Sequence, residues 1–323
     1  MQHFDPKDLS VPEVHKLLLG GVVPRPIALV STISENGINN LSPFSFFNAF
    51  GANPPLIAFS PNRRGKDGSL KDTYNNLLAT KECVVQAVTY EMVEQVSLSS
   101  TEYPPGVDEF IKSGLTPIDS EIVKPKRVKE SPFQMECILK EMNSYGQEGG
   151  SANMAICEVV KFHVANDILT NGIIDPVNID LVGRMSANFY SRASSGVFEV
   201  KKPIGKKCIG YDKLLDHIKS SEIYTANNLA RFANSEEIPS EQDVENFIRE
   251  LLENDIETFE ATVESFEKFH NDKNHQSMLK TAIILELKDS DRKKTFIELS
   301  AKCALENSDI GFAWKAALYA GII

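Results

Sequence analysis

Short apolar runs, separated by prolines, glycines and asparagines, fill the first two thirds of the chain. The last of them, residues 155–164, alternates apolar and polar positions in its second half, which is typical of a strand with one buried face. Many short runs of this kind predict an antiparallel barrel or sandwich. The runs that predict strands are residues 27–33, 38–42, 56–60, 83–88, 133–139 and 155–164.

Two Asn-Gly pairs, Asn36-Gly37 and Asn171-Gly172, lie between such runs. Both residues of this dipeptide tolerate positive φ, so each pair predicts a tight hairpin between antiparallel strands. No G-x-G-x-x-G fingerprint follows any of the runs, which argues against a dinucleotide-binding fold with a parallel sheet.

The pattern changes near residues 201–207, after which apolar residues recur every three or four positions. Ser240 is a good cap for the first of these stripes. The pattern predicts four or five helices packed in a small bundle. The stripes are Val244, Phe247, Ile248, Leu251 and Leu252; Phe259, Val263, Phe266 and Phe269; Leu279, Ile283, Ile284 and Leu287; Phe296, Leu299 and Cys303; and Ile310, Trp314 and Leu318.

Charge divides the chain at the same place. Of 34 basic and 45 acidic side chains, residues 1–209 carry 21 and 23, and residues 210–323 carry 13 and 22. The net charge of −11 is therefore −2 in the first part and −9 in the second. We expect a β-rich (α+β) protein, with an antiparallel domain over residues 1–209 followed by a small, acidic, all-α domain over residues 210–323.

Composition excludes several classes of protein. The acidic balance argues against a nucleic-acid binder held by phosphate contacts, and no run approaches the roughly 20 apolar residues of a membrane helix. The first residues lack the layout of a signal peptide. Five widely spaced cysteines without a C-x-x-C pair argue against a disulfide scaffold or a zinc site. We therefore expect reduced thiols, no metal and a cytoplasmic location.

A basic loop that contains glycines follows the run at residues 56–60. Four cations, and a helix that we expect to begin near Asp72 or Thr73, fall within residues 63–73. Free N–H groups at a helix start and fixed positive charge together bind phosphate. The same residues are also typical of a solvated loop in which Asp72 or Thr73 only caps a helix. The cations are Arg63, Arg64, Lys66 and Lys71.

An aromatic run precedes this loop, with four phenylalanines among small polar residues at 41–50. One interpretation is a core strand with its aromatic side buried. The other is a wall for a flat ring, in which Ser42, Ser45 and Asn48 contact the edge of the ring. Pro43 lacks an N–H and predicts an edge strand or a bulge.

These segments form an ordered series that resembles a known family. Residues 25–32, 36–37, 40–48, 53–56 and 71–73, and later 106–110, 136–137, 157–160 and 182–184, resemble the longer form of the flavin reductase-like, FMN-binding split-barrel family. The resemblance covers roughly residues 10–205 and leaves the helical region unmatched. It implies an antiparallel split barrel that forms a homodimer, with FMN at the dimer interface.

Two functions are implied by the resemblance. Family members reduce flavin with NADH or NADPH, in some cases for a partner monooxygenase, or they hold FMN as flavoredoxin-like electron carriers. In both cases the flavin carries the chemistry, so no catalytic side chain is expected. The barrel could also be inactive and serve as a base for a helical interaction module. The intact cationic loop favours the first two functions over the third. The NAD(P)H-dependent flavin reductase is our first hypothesis, and the electron carrier is the alternative.

The resemblance also assigns residues to the FMN site. Its ring-binding stretch falls on Thr32, Ser42, Pro43, Phe44, Ser45, Phe46 and Asn48, and its phosphate-binding stretch on Ser60, Arg63, Arg64, Lys66, Lys71 and Thr73. Four further candidates are Asn153, His163, Arg184 and Tyr190.

Two of these candidates, His163 and Arg184, also have a simpler interpretation. His163 could face the flavin or the core, and Arg184 could complete the pocket of a partner subunit, together with Tyr190, or form a surface ion pair. Where shorter flavin reductases often place a histidine near the nicotinamide, this chain has Gly149-Gly150.

Cys83 and Cys137, the nearest cysteines, fit a core better than redox partners. The acidic helical domain could be a lid or dimer clasp, a docking module or a stabilising element, and its His270 and His275 fit a solvated turn better than a metal site.

Overall fold

The computed structural model describes residues 1–200, 202–253, 260–285 and 289–323. It divides into two compact units, Met1–Glu199 and Val200–Ile323. Ile209 lies in the second unit, where its N–H donates to the Ser235 carbonyl (2.9 Å) and its side chain packs on the helical core. A separately folding domain over residues 1–209 stays a prediction. Lys201, in the expected seam, lies outside the described residues.

Seven strands of the first unit form one antiparallel sheet, in the order β2-β1-β5-β8-β9-β4-β3. The predicted hairpin at Asn36-Gly37 joins β1 to β2, with Gly37 at a φ of +80°. The predicted hairpin at Asn171-Gly172 joins β10 to β11. The strands are β1 Ala28–Ile33, β2 Asn39–Phe44, β3 Phe47–Ala52, β4 Pro55–Phe59, β5 Glu82–Gln86, β6 Pro117–Ile118, β7 Arg127–Val128, β8 Phe133–Tyr145, β9 Ala152–Val164, β10 Leu169–Thr170, β11 Ile173–Ile174, β12 Val182–Arg184 and β13 Tyr190–Arg192.

Strands β2 and β3 are the opposite edges of this sheet, yet only Ser45 and Phe46 separate them in the chain. The three Cα–Cα steps from Phe44 to Phe47 span at most about 11 Å, so the sheet must curl until its edges meet at this corner. The Ser60 N–H holds the corner by donating to the Phe46 carbonyl (2.9 Å). The aromatic run is therefore two edge strands with a corner between them, and the expectation of an edge at Pro43 is confirmed.

Strand β1 is buried on both of its faces. Ala28 and Val30 belong to the core inside the curled sheet, whereas Leu29 packs outside it with Leu41 and Phe110. Burial on both sides explains why this strand is a continuous apolar run rather than an alternating one. The inner core also contains three free thiols, Cys83, Cys137 and Cys157.

Four helices belong to the first unit. Helix α2 begins at Asp72, as predicted, with Lys71 as its N-cap residue. Helix α4 is capped by Asp108, whose carboxylate accepts the Phe110 N–H (2.9 Å). The helices are α1 Val11–Gly21, α2 Asp72–Thr80, α3 Val93–Leu98 and α4 Glu109–Ser113.

The described residues of the second unit contain seven helices, more than the four or five expected, because α5 and α6 are too short to give a clear stripe. Trp314 lies in the core with its ring centroid 4.9 Å from that of Phe232. Phe259 and Leu287 lie outside the described residues. The helices are α5 Asp216–Lys219, α6 Ala226–Ala233, α7 Glu241–Glu253, α8 Val263–Asn271, α9 His275–Ile284, α10 Ser290–Glu306 and α11 Ile310–Ala320.

The prediction of an antiparallel, β-rich region followed by helices is confirmed. Within the described residues, no helix combines the length and the hydropathy needed to cross a bilayer.

One buried carboxylate fixes a loop to the outside of the sheet. Glu136 of β8 is fully buried and accepts N–H groups from Glu121, Ile122 and Val123 at 2.6–2.9 Å. His163 Nε2 lies 2.7 Å from the same carboxylate. Burial alone would raise the pKa of Glu136, but these hydrogen bonds outweigh it and lower the pKa to about 2.

Glu136→Gln should lower the free energy of unfolding by about 1–3 kcal/mol at pH 7, because a neutral amide accepts the loop N–H groups less well. The carboxylate has a lower pKa in the folded chain than the ordinary 4.5, so its contribution is complete above pH 4.5 and is lost as the pH falls toward 2. Urea denaturation at several pH values measures the difference between the two proteins.

Glu141→Gln, on the exposed part of the same strand, is the matched control and should change stability by less than about 0.5 kcal/mol. Equal stabilities of Glu136→Gln and the unaltered protein at pH 7 would contradict the role given to this carboxylate.

Candidate functional site

An apolar cavity of about 610 Å³ opens beside the corner between β2 and β3. Its wall contains no Lys, Arg, Asp or Glu among the described residues, and its few polar groups are His15, Asn48, Ser60, Asn62 and Tyr145. We call it the aromatic cavity. Its other lining residues are Pro6, Leu9, Val11, Val14, Leu18, Phe46, Phe47, Phe50, Ala58, Phe59, Gly150, Ala152 and Met154.

Helix α1 forms one wall of the aromatic cavity. A capping box begins the helix, in which Ser10 N–H donates to the Glu13 carboxylate (2.8 Å). None of its residues is buried, so packing alone does not hold it in place. The ring of His15 lies 6.5 Å from that of Phe46, centroid to centroid.

Arg25 holds the end of this helix. Its guanidinium is 4% exposed and donates from Nη1 to the carbonyls of Leu19 (3.0 Å) and Val22 (2.8 Å). Nη2 donates to the Met185 carbonyl (3.1 Å) and Nε to Ser45 Oγ (3.3 Å). One side chain therefore joins α1, the corner at Ser45 and the segment after β12. Burial, and then the nearby Arg184, lower the pKa of Arg25.

A much smaller cleft, of about 70 Å³, lies at the start of helix α2. We call it the cationic cleft. Arg64 enters it and lies 3.6 Å from Asp72 and 4.0 Å from Glu102. An α-helix start with adjacent cations suits a small anion. The lining residues are Asn40, Ser42, Arg64, Lys71, Asp72, Thr73, Ser99, Ser100, Thr101, Glu102, Tyr103 and Glu109.

Lys71 is the cation of this cleft that pairs with no carboxylate at salt-bridge distance within the described residues. Its ammonium lies 5.3 Å from the centre of the Phe44 ring and makes no hydrogen bond or salt bridge within the described part of the chain. Burial, and then the neighbouring Arg64, lower its pKa. A partly buried, unpaired ammonium gains free energy from an anion that enters the cleft.

A buried polar network fixes the floor of the cationic cleft. Asn40 Nδ2 donates to Thr73 Oγ1 and to Thr32 Oγ1, both at 3.0 Å. Asn76 Nδ2 also donates to Thr32 Oγ1 (3.1 Å). Thr32 is fully buried and lies behind the cleft rather than in its wall. It therefore joins β2 to helix α2 instead of contacting a ligand.

The loop between β4 and α2 uses its two arginines differently. Arg63 Nη1 donates to the Gly68 carbonyl (2.8 Å), and its Nε is buried without a partner in the described structure. Lys66 is exposed. A Cβ on Gly149 would lie 2.6 Å from the Gly65 carbonyl oxygen, so only glycine allows this approach. The position where shorter flavin reductases often place a histidine is therefore, in this chain, a glycine turn packed on the basic loop.

One stretch of chain joins the cavity to the cleft. Ser42 lines the cationic cleft and Phe46 lines the aromatic cavity. Three residues lie between them, and the four Cα–Cα steps from Ser42 to Phe46 span at most about 13 Å. The structure thus brings together two groups of the predicted residues: Ser42, Arg64, Lys71 and Thr73 in the cleft, and Phe46, Asn48 and Ser60 in the cavity.

Several other predicted residues support these walls without lining them. Phe44 lies in the core, with its ring 5.6 Å from that of Phe59. Pro43 lies opposite Leu29 in the sheet, and Ser45 accepts the bond from Arg25. Buried Asn153 donates from Nδ2 to the Pro61 carbonyl (3.2 Å).

The remaining predicted residues line neither the cavity nor the cleft within this chain. His163 lies between Glu136 and Glu121, on the outside of the sheet. Arg184 donates to the Ala187 carbonyl (2.6 Å), and its guanidinium lies 4.6 Å from the centre of the Tyr190 ring. Cys83 is a core residue, and its hydrogen bond with Cys137 and its burial raise its pKa well above the ordinary value.

Sequence reasoning missed three parts of the site. The sequence indicated Arg25 only as part of the motif at residues 25–32 and gave it no role of its own. Helix α1 has no buried residue, so no apolar stripe predicts it. The third is Glu109, which enters the cleft and accepts the Leu41 N–H (2.9 Å). The Asp-Glu pair at 108–109 carried a usable signal, because Asp is a preferred N-cap residue and so marks a helix that begins at Glu109.

A second apolar cavity, of about 560 Å³, lies against β3 and shares Phe47 and Asn48 with the aromatic cavity. Near these openings Phe50 is 70% exposed and Tyr145 62%. Large exposed aromatic side chains beside two apolar cavities are typical of a surface that is covered in the working protein.

Comparison with known proteins identifies relatives of the first unit. A family model described as flavin reductase like domain matches residues 19–177. An uncharacterized protein of Halalkalibacterium halodurans, BH2278, is 38% identical over 202 residues, which are 62% of this chain and 96% of that protein. An uncharacterized protein of Aquifex aeolicus is 39% identical over 192 residues, 59% of this chain and 95% of that protein.

Solved structures agree with these relatives. Nitrilotriacetate monooxygenase component B from Bacillus cereus superposes with a TM-score of 0.59 and 32% identity, covering 62% of this chain and 98% of that chain. A split barrel protein from Shewanella frigidimarina gives a TM-score of 0.54 and 25% identity, covering 64% and 100%. The expectation of a split barrel is confirmed.

Arg25→Lys should loosen helix α1, because an ammonium cannot make the four hydrogen bonds of the guanidinium. We expect amide hydrogen exchange in residues 11–21 to become about 10-fold faster or more, while exchange in β1 and β5 stays unchanged. Arg192→Lys, at an exposed pair with Asp180, is the control. Unchanged exchange in α1 of Arg25→Lys would contradict the anchoring role.

Proposed function

Because the chain belongs to the flavin reductase-like family, we propose that its first unit binds FMN and receives a hydride on it from NADH or NADPH. The flavin ring would lie in the aromatic cavity and the phosphate in the cationic cleft. The residues proposed to hold them are Phe46, Asn48 and Ser60 for the ring, and Ser42, Arg64, Lys71 and Thr73 for the phosphate, with Thr32, Pro43, Phe44, Ser45, Arg63 and Asn153 as supports. Lys66, which is exposed and lines neither space, is not given a role in the site.

The observation that carries this proposal is the unpaired ammonium of Lys71 at the start of helix α2. A half-buried lysine without a carboxylate partner is costly unless a ligand supplies the anion. The cleft has room for one small anion, at about 70 Å³. The Thr73 hydroxyl and the free N–H groups of the helix start supply hydrogen bonds next to the cation.

The aromatic cavity fits the other end of the same ligand. Its wall is apolar and aromatic, which suits a flat heterocycle, and Asn48, Ser60 and Asn62 offer polar contacts at its edge. The cavity lies one short stretch of chain from the cleft, so a ring and a phosphate joined by a sugar-alcohol chain match the two openings together.

FMN supplies the two-electron chemistry when it is bound, and the protein supplies binding, orientation and exclusion of water. Lys71 and Arg64 neutralise the phosphate charge and fix that end of the ligand. Phe46 and helix α1, anchored by Arg25, form the apolar wall that holds the ring and keeps solvent from it. No side chain of the cavity needs to act as an acid or a base in this account.

We propose a homodimer as the working form. The exposed aromatic side chains Phe50 and Tyr145 and the second apolar cavity favour a covering partner. In such a dimer Arg184 and Tyr190, which line neither the aromatic cavity nor the cationic cleft of their own chain, would complete the pocket of the partner subunit; His163 would stay with Glu136. The likeness to a monooxygenase component supports transfer of reduced flavin to a partner monooxygenase.

A second candidate function is an FMN-holding electron carrier without a nicotinamide site. Two observations favour it: the aromatic cavity has no charged side chain among its described lining residues, and the histidine position is a glycine turn at Gly149 that packs on Gly65. A nicotinamide dinucleotide carries two phosphates, for which this cavity provides no cation.

Lys71→Met should raise the Kd for FMN about 10- to 100-fold, because it removes a charge-assisted contact from a partly buried site. Titration of the protein into FMN, followed by flavin fluorescence, measures the effect. Lys66→Met removes the same charge from an exposed position of the same loop and should change the Kd less than about threefold. Equal effects of the two substitutions would contradict the proposed phosphate site.

Anaerobic stopped-flow mixing separates the two candidate functions. For a reductase, NADH or NADPH should bleach the visible absorbance of the FMN-loaded protein at a rate that saturates with donor concentration and exceeds that of free FMN. An electron carrier should show no faster bleaching than free FMN with either donor, which would contradict the reductase proposal.

A further inference from the structure

The cationic cleft continues into a polar recess of about 210 Å³. The recess shares Asn40, Asp72 and Glu109 with the cleft. On its far side it is bounded by the turn at residues 34–38 and by the loop at residues 104–107. A ligand longer than the cleft would therefore extend into this recess.

The two spaces differ in their cations. Arg64 and Lys71 line the cleft, together with the carboxylates of Asp72, Glu102 and Glu109, but neither cation lines the recess. In the described structure, the charged side chains that line the recess are the carboxylates of Asp72 and Glu109. Neither is neutralised inside it, since Asp72 faces Arg64 on the cleft side (3.6 Å) and Glu109 accepts only the Leu41 N–H (2.9 Å).

We propose that Glu109 and Asp72 make the site selective for a flavin that ends in a single phosphate, FMN, over the flavin dinucleotide FAD. The inference rests on the proposed function, because it needs the FMN phosphate in the cationic cleft. The inference adds the two residues that discriminate between FMN and FAD. They act by repelling the second phosphate of FAD rather than by attracting the first phosphate.

Repulsion is effective here because the surroundings are partly buried. Glu109 is only partly exposed, and burial raises its pKa, an effect that outweighs the hydrogen bond from Leu41. In such a place like charges interact more strongly than in water. The diphosphate of FAD would put its second phosphate in the recess, beside the carboxylates of Asp72 and Glu109 and without a cation. FAD is then disfavoured because this contact is repulsive.

The test compares the Kd values for FMN and FAD by fluorescence titration at pH 8. The unaltered protein should bind FMN at least about 30-fold more tightly than FAD. Glu109→Gln keeps the acceptor for the Leu41 N–H and removes the charge. It should reduce the FMN-to-FAD preference about 10-fold, mainly by tightening FAD.

Asp72→Asn is the second variant and should reduce the preference in the same direction. Glu94→Gln, which removes the same charge from the exposed side of α3, is the matched control and should leave the preference unchanged. Circular dichroism establishes that each variant is folded before titration.

The outcomes separate the inference from the proposed function. Tight FMN binding with equal FAD binding, or an unchanged preference in both Glu109→Gln and Asp72→Asn, would overturn the inference and leave FMN binding intact. Binding of neither flavin by the unaltered protein would overturn the proposed function and the inference together.

Discussion

The two residues between β2 and β3 constrain the whole first unit. They join the opposite edges of a seven-stranded sheet, so the sheet must curl until those edges meet. The candidate site is built around this corner. Ser42, which precedes the corner, lines the cationic cleft, and Phe46, within the corner, lines the aromatic cavity. Arg25 donates a hydrogen bond to Ser45 in the same corner. The closure of the sheet therefore places a ring-sized and a phosphate-sized space side by side.

The charges that line the two spaces determine which ligand groups each space can hold. Burial lowers the pKa of Lys71, and no carboxylate forms a salt bridge with it in the described chain. The adjoining recess is lined by the carboxylates of Asp72 and Glu109 and, among the described residues, by no cation. With this arrangement of charges, binding of one phosphate group is favourable and binding of a second is unfavourable. The aromatic cavity, without charged groups in its described wall, accepts an uncharged ring.

The sequence allowed six of the seven strands of the large sheet, both Asn-Gly hairpins and the start of helix α2 to be predicted, because these depend on local patterns and turn residues. It also indicated the basic loop and the aromatic run. It did not reveal that the aromatic run bends at Ser45 and Phe46, since strand pairing depends on contacts distant in sequence. Arg25 and Glu109 were missed for the same reason: each acts on chain segments that the sequence does not mark as neighbours.

The central claim is that the cleft and the cavity hold two ends of one ligand. Isothermal titration of the unaltered protein with FMN and with riboflavin, which differ only by the phosphate, tests it most directly. The account predicts that FMN binds at least about 100-fold more tightly than riboflavin, because Lys71, Arg64 and the start of helix α2 contact only the phosphate. Equal affinities for the two flavins would contradict the account.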